Sequence, residues 1–67
     1  MHVVKQVWTW GEVDFLTEWP GVDAKEFTTV PSKERALPLD EEDAEILAHQ
    51  LNDQFGGARC SFSVESV

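Results

Sequence analysis

Residues 40–57 read DEEDAEILAHQLNDQFGG, and the reading of this stretch decides the fold. Asp40 is a good N-cap, because its carboxylate can accept from the free N–H groups of a first helical turn. Asp43, three residues on, makes a weak capping box. Glu41, Glu42 and Asp43 fill the first turn, where the helix dipole favours negative charge. Ala44, Leu47, Ala48, Leu51 and Phe55 then recur at i, i+3, i+4, i+7 and i+11, which predicts an amphipathic helix over residues 41–55. Gly56-Gly57 ends it. A helix with one apolar stripe needs a second layer to bury it, and the flanking sequence has to supply that layer.

Downstream, Arg59 to Val67 alternates. Cys60, Phe62 and Val64 fall on one face, and Arg59, Ser61, Ser63 and Glu65 on the other, as in a half-buried strand. Upstream, His2 to Trp10 is rich in Val and Trp and reads as a strand. Gly11-Glu12 fits a two-residue hairpin turn, and Val13 to Trp19 reads as the return strand. That turn would set Trp10 opposite Val13, Trp8 opposite Phe15, Gln6 opposite Thr17 and Val4 opposite Trp19. Opposed residues share a face. The expected core side is therefore Val4, Trp8, Trp10, Val13, Phe15 and Trp19. The outer side pairs Thr9 with Asp14, Val7 with Leu16 and Lys5 with Glu18.

Pro20-Gly21 breaks the strand. Residues 22–29 have two readings: a short helical turn at Ala24 to Phe27, or an extended run from Phe27 to Val30. Pro31 and Pro38 bracket Ser32 to Leu37, which reads as a short edge strand. The order ββ-β-α-β gives a small α+β two-layer sandwich: an antiparallel sheet with the one main helix on one face. It is ferredoxin-like if residues 22–29 are also helical.

Sixty-seven residues are expected to form one domain, 1–67. A hydrophobic content of 42% with clear periodicity argues against disorder. Cys60 is the only cysteine, so no intramolecular disulfide forms, and a free thiol in a small unstapled domain fits a reducing cytoplasm. No basic stretch leading into an apolar run marks a signal peptide, and no apolar run approaches the ~20 residues of a membrane span. Thirteen acidic residues against five basic ones give a net charge of -8. Such a surplus repels nucleic acid and anionic membrane and attracts basic surfaces.

The sequence carries no enzyme motif. His2 and His49 lack the ligand spacing of a metal site, and no cofactor is implied. Cys60 alternates with Phe62 and Val64, as a buried small hydrophobe does. Ser61 and Ser63 have no activating partner. Gly56-Gly57 follows a helix, whereas a phosphate loop opens one.

What remains is the placement of charge. Capping accounts for Asp40 and part of the first turn. Glu42, Glu45, His49 and Asp53 lie opposite the core stripe, with Ile46 among them roughly 150° from the stripe centre. An apolar residue ringed by carboxylates is what the centre of a binding face looks like, although a lone exposed apolar residue is also ordinary. The outer face of the hairpin repeats the pattern, with Val7 and Leu16 among Glu12, Asp14 and Glu18. The candidate partner-binding residues are thus Glu41, Glu42, Glu45, Ile46 and Asp53 on the helix, with Glu12, Asp14, Leu16 and Glu18 on the hairpin.

In its size, its acidic run Asp40 to Glu45 and its compact ββαβ pattern, the chain resembles the small proteins with which phages and mobile elements disable host defence, anti-CRISPR proteins above all. The resemblance rests on those general features and carries no shared motif. It implies a non-enzymatic inhibitor that imitates DNA. Such an inhibitor would occupy the basic DNA path of a type I surveillance complex, on the large subunit that reads the protospacer-adjacent motif. Carboxylates can compete for the Lys and Arg side chains that bind phosphate. The partner is then a basic DNA-binding protein surface, with no nucleic acid or membrane bound and the chain a monomer or weak homodimer. The competing expectation is a small homodimeric accessory domain that uses the Val7-Leu16 face or the edge strand.

Overall fold

A computed structural model describes residues 1–67. The order of elements is β1 (His2–Trp8), β2 (Val13–Leu16), β3 (Thr29–Val30), a single 3-10 turn (Lys33–Arg35), α1 (Glu41–Phe55) and β4 (Cys60–Ser66). The strands form one antiparallel sheet in the order β3-β2-β1-β4, and α1 packs on one face of it. This is the expected α+β two-layer class.

The helix has the expected bounds. Asp40 Oδ1 accepts from the Asp43 N–H at 2.9 Å, and its own carbonyl accepts from Ala44 N–H. Ala44, Leu47, Ala48 and Leu51 are buried against Val4, Leu16, Cys60 and Phe62 of the sheet, with Trp8, Phe27, Leu39, Phe55 and Val64 packed around them. Each fully buried leucine contributes about 1.5–3 kcal/mol, so Leu16, Leu47 and Leu51 carry a large share of the stability of so short a chain. The alternation of β4 is also as expected, with Cys60 and Phe62 facing the helix.

The hairpin differs from the expectation in register. Lys5 opposes Phe15, Gln6 opposes Asp14 and Val7 opposes Val13. The loop is Thr9 to Gly11, not Gly11-Glu12. Gly11 N–H donates to the Trp8 carbonyl at 3.0 Å, Trp8 N–H donates to the Glu12 carbonyl at 2.9 Å, and Gly11 sits at φ 98°. That is a three-residue loop closed by a left-handed glycine bulge. The pairing moves by three residues, an odd number, and so β2 turns over relative to β1. Val4, Trp8 and Leu16 face the helix. Val3, Phe15 and Val13 face the other way and pack with Ala36. Trp10 lies in the loop and Trp19 beyond β2, both exposed.

One further expectation is corrected, and of the two readings of residues 22–29 the extended one holds, at Thr29–Val30. Residues 32–37 are not an edge strand: Pro31 follows the two-residue β3, Lys33–Arg35 make the 3-10 turn, and the chain rejoins the sheet where Leu37 N–H donates to the Leu16 carbonyl at 2.9 Å and His2 and Leu39 exchange backbone hydrogen bonds of 2.7 and 2.8 Å. Residues 22–28 form a turn and irregular chain with no helix. With one helix, and with β1 flanked by β2 and β4, the topology is not ferredoxin-like.

Candidate functional site on the outer face of the helix

Helix α1 crosses the sheet with one flank over β4 and the other under the chain that leaves β2. Asn52 marks the first flank through its bonds to Phe62. The second is fixed by two glutamines one turn apart. Gln50 Nε2 donates to the Pro20 carbonyl at 2.9 Å, and Gln54 Nε2 donates to the Gly21 and Val22 carbonyls. Glu42, Glu45, Ile46, His49 and Asp53 are exposed between these flanks, on the side away from the sheet. His49 Nε2 and Asp53 Oδ2 are 3.8 Å apart across one turn. Glu41 lies at the start of the helix, its Oε2 3.5 Å from His2 Nε2.

Ile46 keeps 51% of its surface exposed, and the structure supplies a neighbour that the sequence reading placed in the core. Trp19 is 40% exposed, and its Nε1 donates to Gln50 Oε1 at 3.1 Å. Gln50 follows Ile46 by four residues, so the indole is anchored one turn along from it. Val22, also exposed, is tied to the same flank through Gln54. Ile46 therefore lies among carboxylates, with Trp19 anchored one turn along and Val22 two turns along on the neighbouring flank. The missed signal was the pair Gln50 and Gln54, whose spacing puts two amides on one helix flank ready to hold a crossing chain.

The hairpin face lacks its expected apolar centre. Leu16 is 1% exposed, packed in the core against α1, and so cannot anchor a partner. Asp14 pairs with Gln6 and lies on the helix side of the sheet, its Oδ2 accepting from Trp8 Nε1 at 3.4 Å. Glu12 accepts from Trp10 Nε1 at 3.1 Å, and Glu18 from Thr28 Oγ1 at 3.0 Å. These three carboxylates are each held by a local donor. The expected Lys5-Glu18 pair is replaced: Lys5 and Lys33 both bind Glu65, on the side of the sheet away from α1. The two lysines, Lys33 first, hold the Glu65 carboxyl below its ordinary value.

Comparison with known proteins adds no relative: no family model, no curated protein and no solved structure matches the chain. No helix is long and apolar enough to cross a membrane.

Proposed function

We propose that the protein is a non-enzymatic binding module that sets the outer face of α1 against a basic, nucleic-acid-binding protein surface. It acts there as an anti-CRISPR would, mimicking DNA and blocking recognition of the protospacer-adjacent motif by a type I surveillance complex. The observation that carries this reading is the half-exposed Ile46, set among Glu42, Glu45 and Asp53 with Trp19 anchored one turn along.

Magnitudes define what such a face contributes. From Glu42 to Asp53 the helix rises ~16 Å. Duplex DNA places about ten charges in that length, and the helix face places three. Charge alone is therefore a weak imitation. Carboxylates steer association and engage arginine bidentately, while Ile46 and Trp19 slow dissociation. The homodimer reading has fewer supports, because its Val7-Leu16 face does not form and both sheet edges are blunted.

The test is competition for a labelled target duplex on an assembled type I surveillance complex. The protein should displace the duplex, more strongly at low salt. The double variant Glu42→Lys/Glu45→Lys should lose at least ~100-fold, the ordinary worth of two close charge pairs. Unchanged competition by that variant, or no competition by the native protein, overturns the reading.

A further inference from the structure

A second site lies at the other end of the helix. Between the last turn of α1 and the hairpin end of the sheet opens a groove of about 460 Å³, lined by Gln6, Trp8, Phe27, Thr29, Phe55, Arg59 and Cys60. Its volume is within the range of small-molecule sites.

The walls are aromatic. Phe27 meets Phe55 edge-on at 4.7 Å and Phe62 at 5.6 Å. Trp8 is backed by Trp10, stacked at 4.7 Å with 21° between the rings, and its Nε1 is held by Asp14. These contacts fix the rings before any ligand arrives. Besides Thr29, the lining carries a polar amide at Gln6. Gln6 is only 5% exposed, and its one side-chain hydrogen bond runs from Nε2 to Cys60 Sγ at 3.3 Å. Its Oε1 accepts nothing from the protein. That oxygen is open to the groove, unlike the rest of the side chain, and so it is a vacant acceptor in the groove wall. The rim carries the third feature. Arg59 is the one charged residue of the lining, and its guanidinium makes no ion pair in a chain of net charge -8. The Arg59 carbonyl is anchored by Thr9 N–H at 2.9 Å, which fixes the base of the side chain at the rim.

We infer that this groove binds a planar heteroaromatic molecule carrying an anionic group. The ring lies among Trp8, Phe27 and Phe55, a ring or exocyclic N–H donates to Gln6 Oε1, and the anion meets Arg59. Flat rings suit the fixed aromatic walls. A guanidinium at the rim matches a carboxylate or phosphate bidentately. Two sources share this chemistry, a nucleoside monophosphate and an aromatic carboxylic acid.

The experiment titrates the full chain with AMP and with indole-3-acetate, each against its uncharged parent, adenosine and 3-methylindole. It follows the amide, indole and Gln side-chain signals by NMR. At least one anion should shift Gln6, Trp8 and Arg59 saturably and bind roughly tenfold or more tightly than its parent, the worth of one charge-assisted hydrogen bond. AMP alone identifies the nucleotide, and indole-3-acetate alone the aromatic acid. Arg59→Gln removes no internal side-chain hydrogen bond or ion pair and should abolish the preference for the anion with the spectrum otherwise unchanged. Gln6→Met, close in volume, should weaken anion and parent alike. If Gln6→Met does not fold, the Arg59 comparison stands alone. No saturable shift with either anion overturns the inference, as do shifts outside the groove or a preference that survives Arg59→Gln.

Discussion

The side-chain amide of Asn52 makes both hydrogen bonds that a neighbouring strand would make to Phe62. Nδ2 donates to the Phe62 carbonyl and Oδ1 accepts from the Phe62 N–H, each at 2.9 Å. In β4 the backbone groups of Ser61, Ser63 and Glu65 point to β1, and those of Phe62 point outward. One helix residue thus covers the middle of the longest free edge of the sheet. At the other edge β3 is two residues long and is followed by Pro31. Short edges, prolines and covered edges are the ordinary means by which sheets avoid pairing with other chains.

Replacing that amide should therefore do two things. Asn52→Ala should lower stability by about 1–2 kcal/mol, because a peptide group shielded by α1 loses its partner. It should also make the chain self-associate, since the middle of the β4 edge becomes free to pair. Denaturant titration measures the first and sedimentation at several concentrations the second. A variant that stays monomeric throughout would show that the edge is protected by something other than Asn52.

Leu16 and Ile46 look alike in the sequence, each a single apolar residue among carboxylates, and the structure separates them. Leu16→Ala should cost about 2–5 kcal/mol, as a buried leucine does. Ile46→Ala should stay within about 0.5 kcal/mol of the native chain, and should act only on binding. Thermal melts of the two variants check the assignment, and equal losses would contradict it.

The helix and β4 were legible because each rests on local signals that nothing overrides: a cap at Asp40, a 3.6-residue stripe and a clean alternation from Cys60 to Val64. The hairpin was legible as a hairpin but not in register. Gly11 serves either as the first residue of a two-residue turn or as the left-handed closure of a three-residue loop, and only tertiary packing chooses. That one choice sent Leu16 and Trp19 to the wrong sides. On the candidate site, Glu42, Glu45, Ile46 and Asp53 followed from helical geometry alone. Trp19 did not, because its place depends on Gln50 and Gln54 holding a chain segment distant in sequence. The segment 32–37 departs from the edge-strand reading for a similar reason: it rejoins the sheet through backbone bonds at Leu37 and Leu39, which leave no side-chain pattern.

Glu65 gives the fold a pH dependence whose sign follows from its partners. Lys33 and Lys5 lower its pKa in the folded chain below the ordinary 4.5. The ionised form is favoured by folding, so the contribution is full above 4.5 and is lost as pH falls through the lowered folded value. Denaturant midpoints of the native chain and Glu65→Gln should differ at about pH 6 and converge as pH falls through the lowered folded value. Parallel curves would mean that the two lysines add nothing to stability. The pair is partly exposed, so the effect should also shrink in high salt.

Gly56 closes α1 without the left-handed conformation that usually selects glycine there. Its φ is -67°, which any residue adopts, and its N–H donates to the carbonyls of Leu51 and Asn52. Glycine is required for space: a Cβ at this position would lie 2.4 Å from the Asn52 carbonyl oxygen. That oxygen belongs to the backbone of the residue that covers β4, so relief of the overlap must move the helix end. Gly56→Ala should therefore destabilise by about 1–3 kcal/mol, the scale of an overpacked site. It should also perturb the Phe62 amide signal, because Asn52 is displaced with its backbone. Gly57→Ala, with nothing within 4 Å of its added carbon, is the control and should be near neutral. Equal effects at the two positions would mean that the helix ends on chain flexibility and not on the close approach of Gly56 to Asn52.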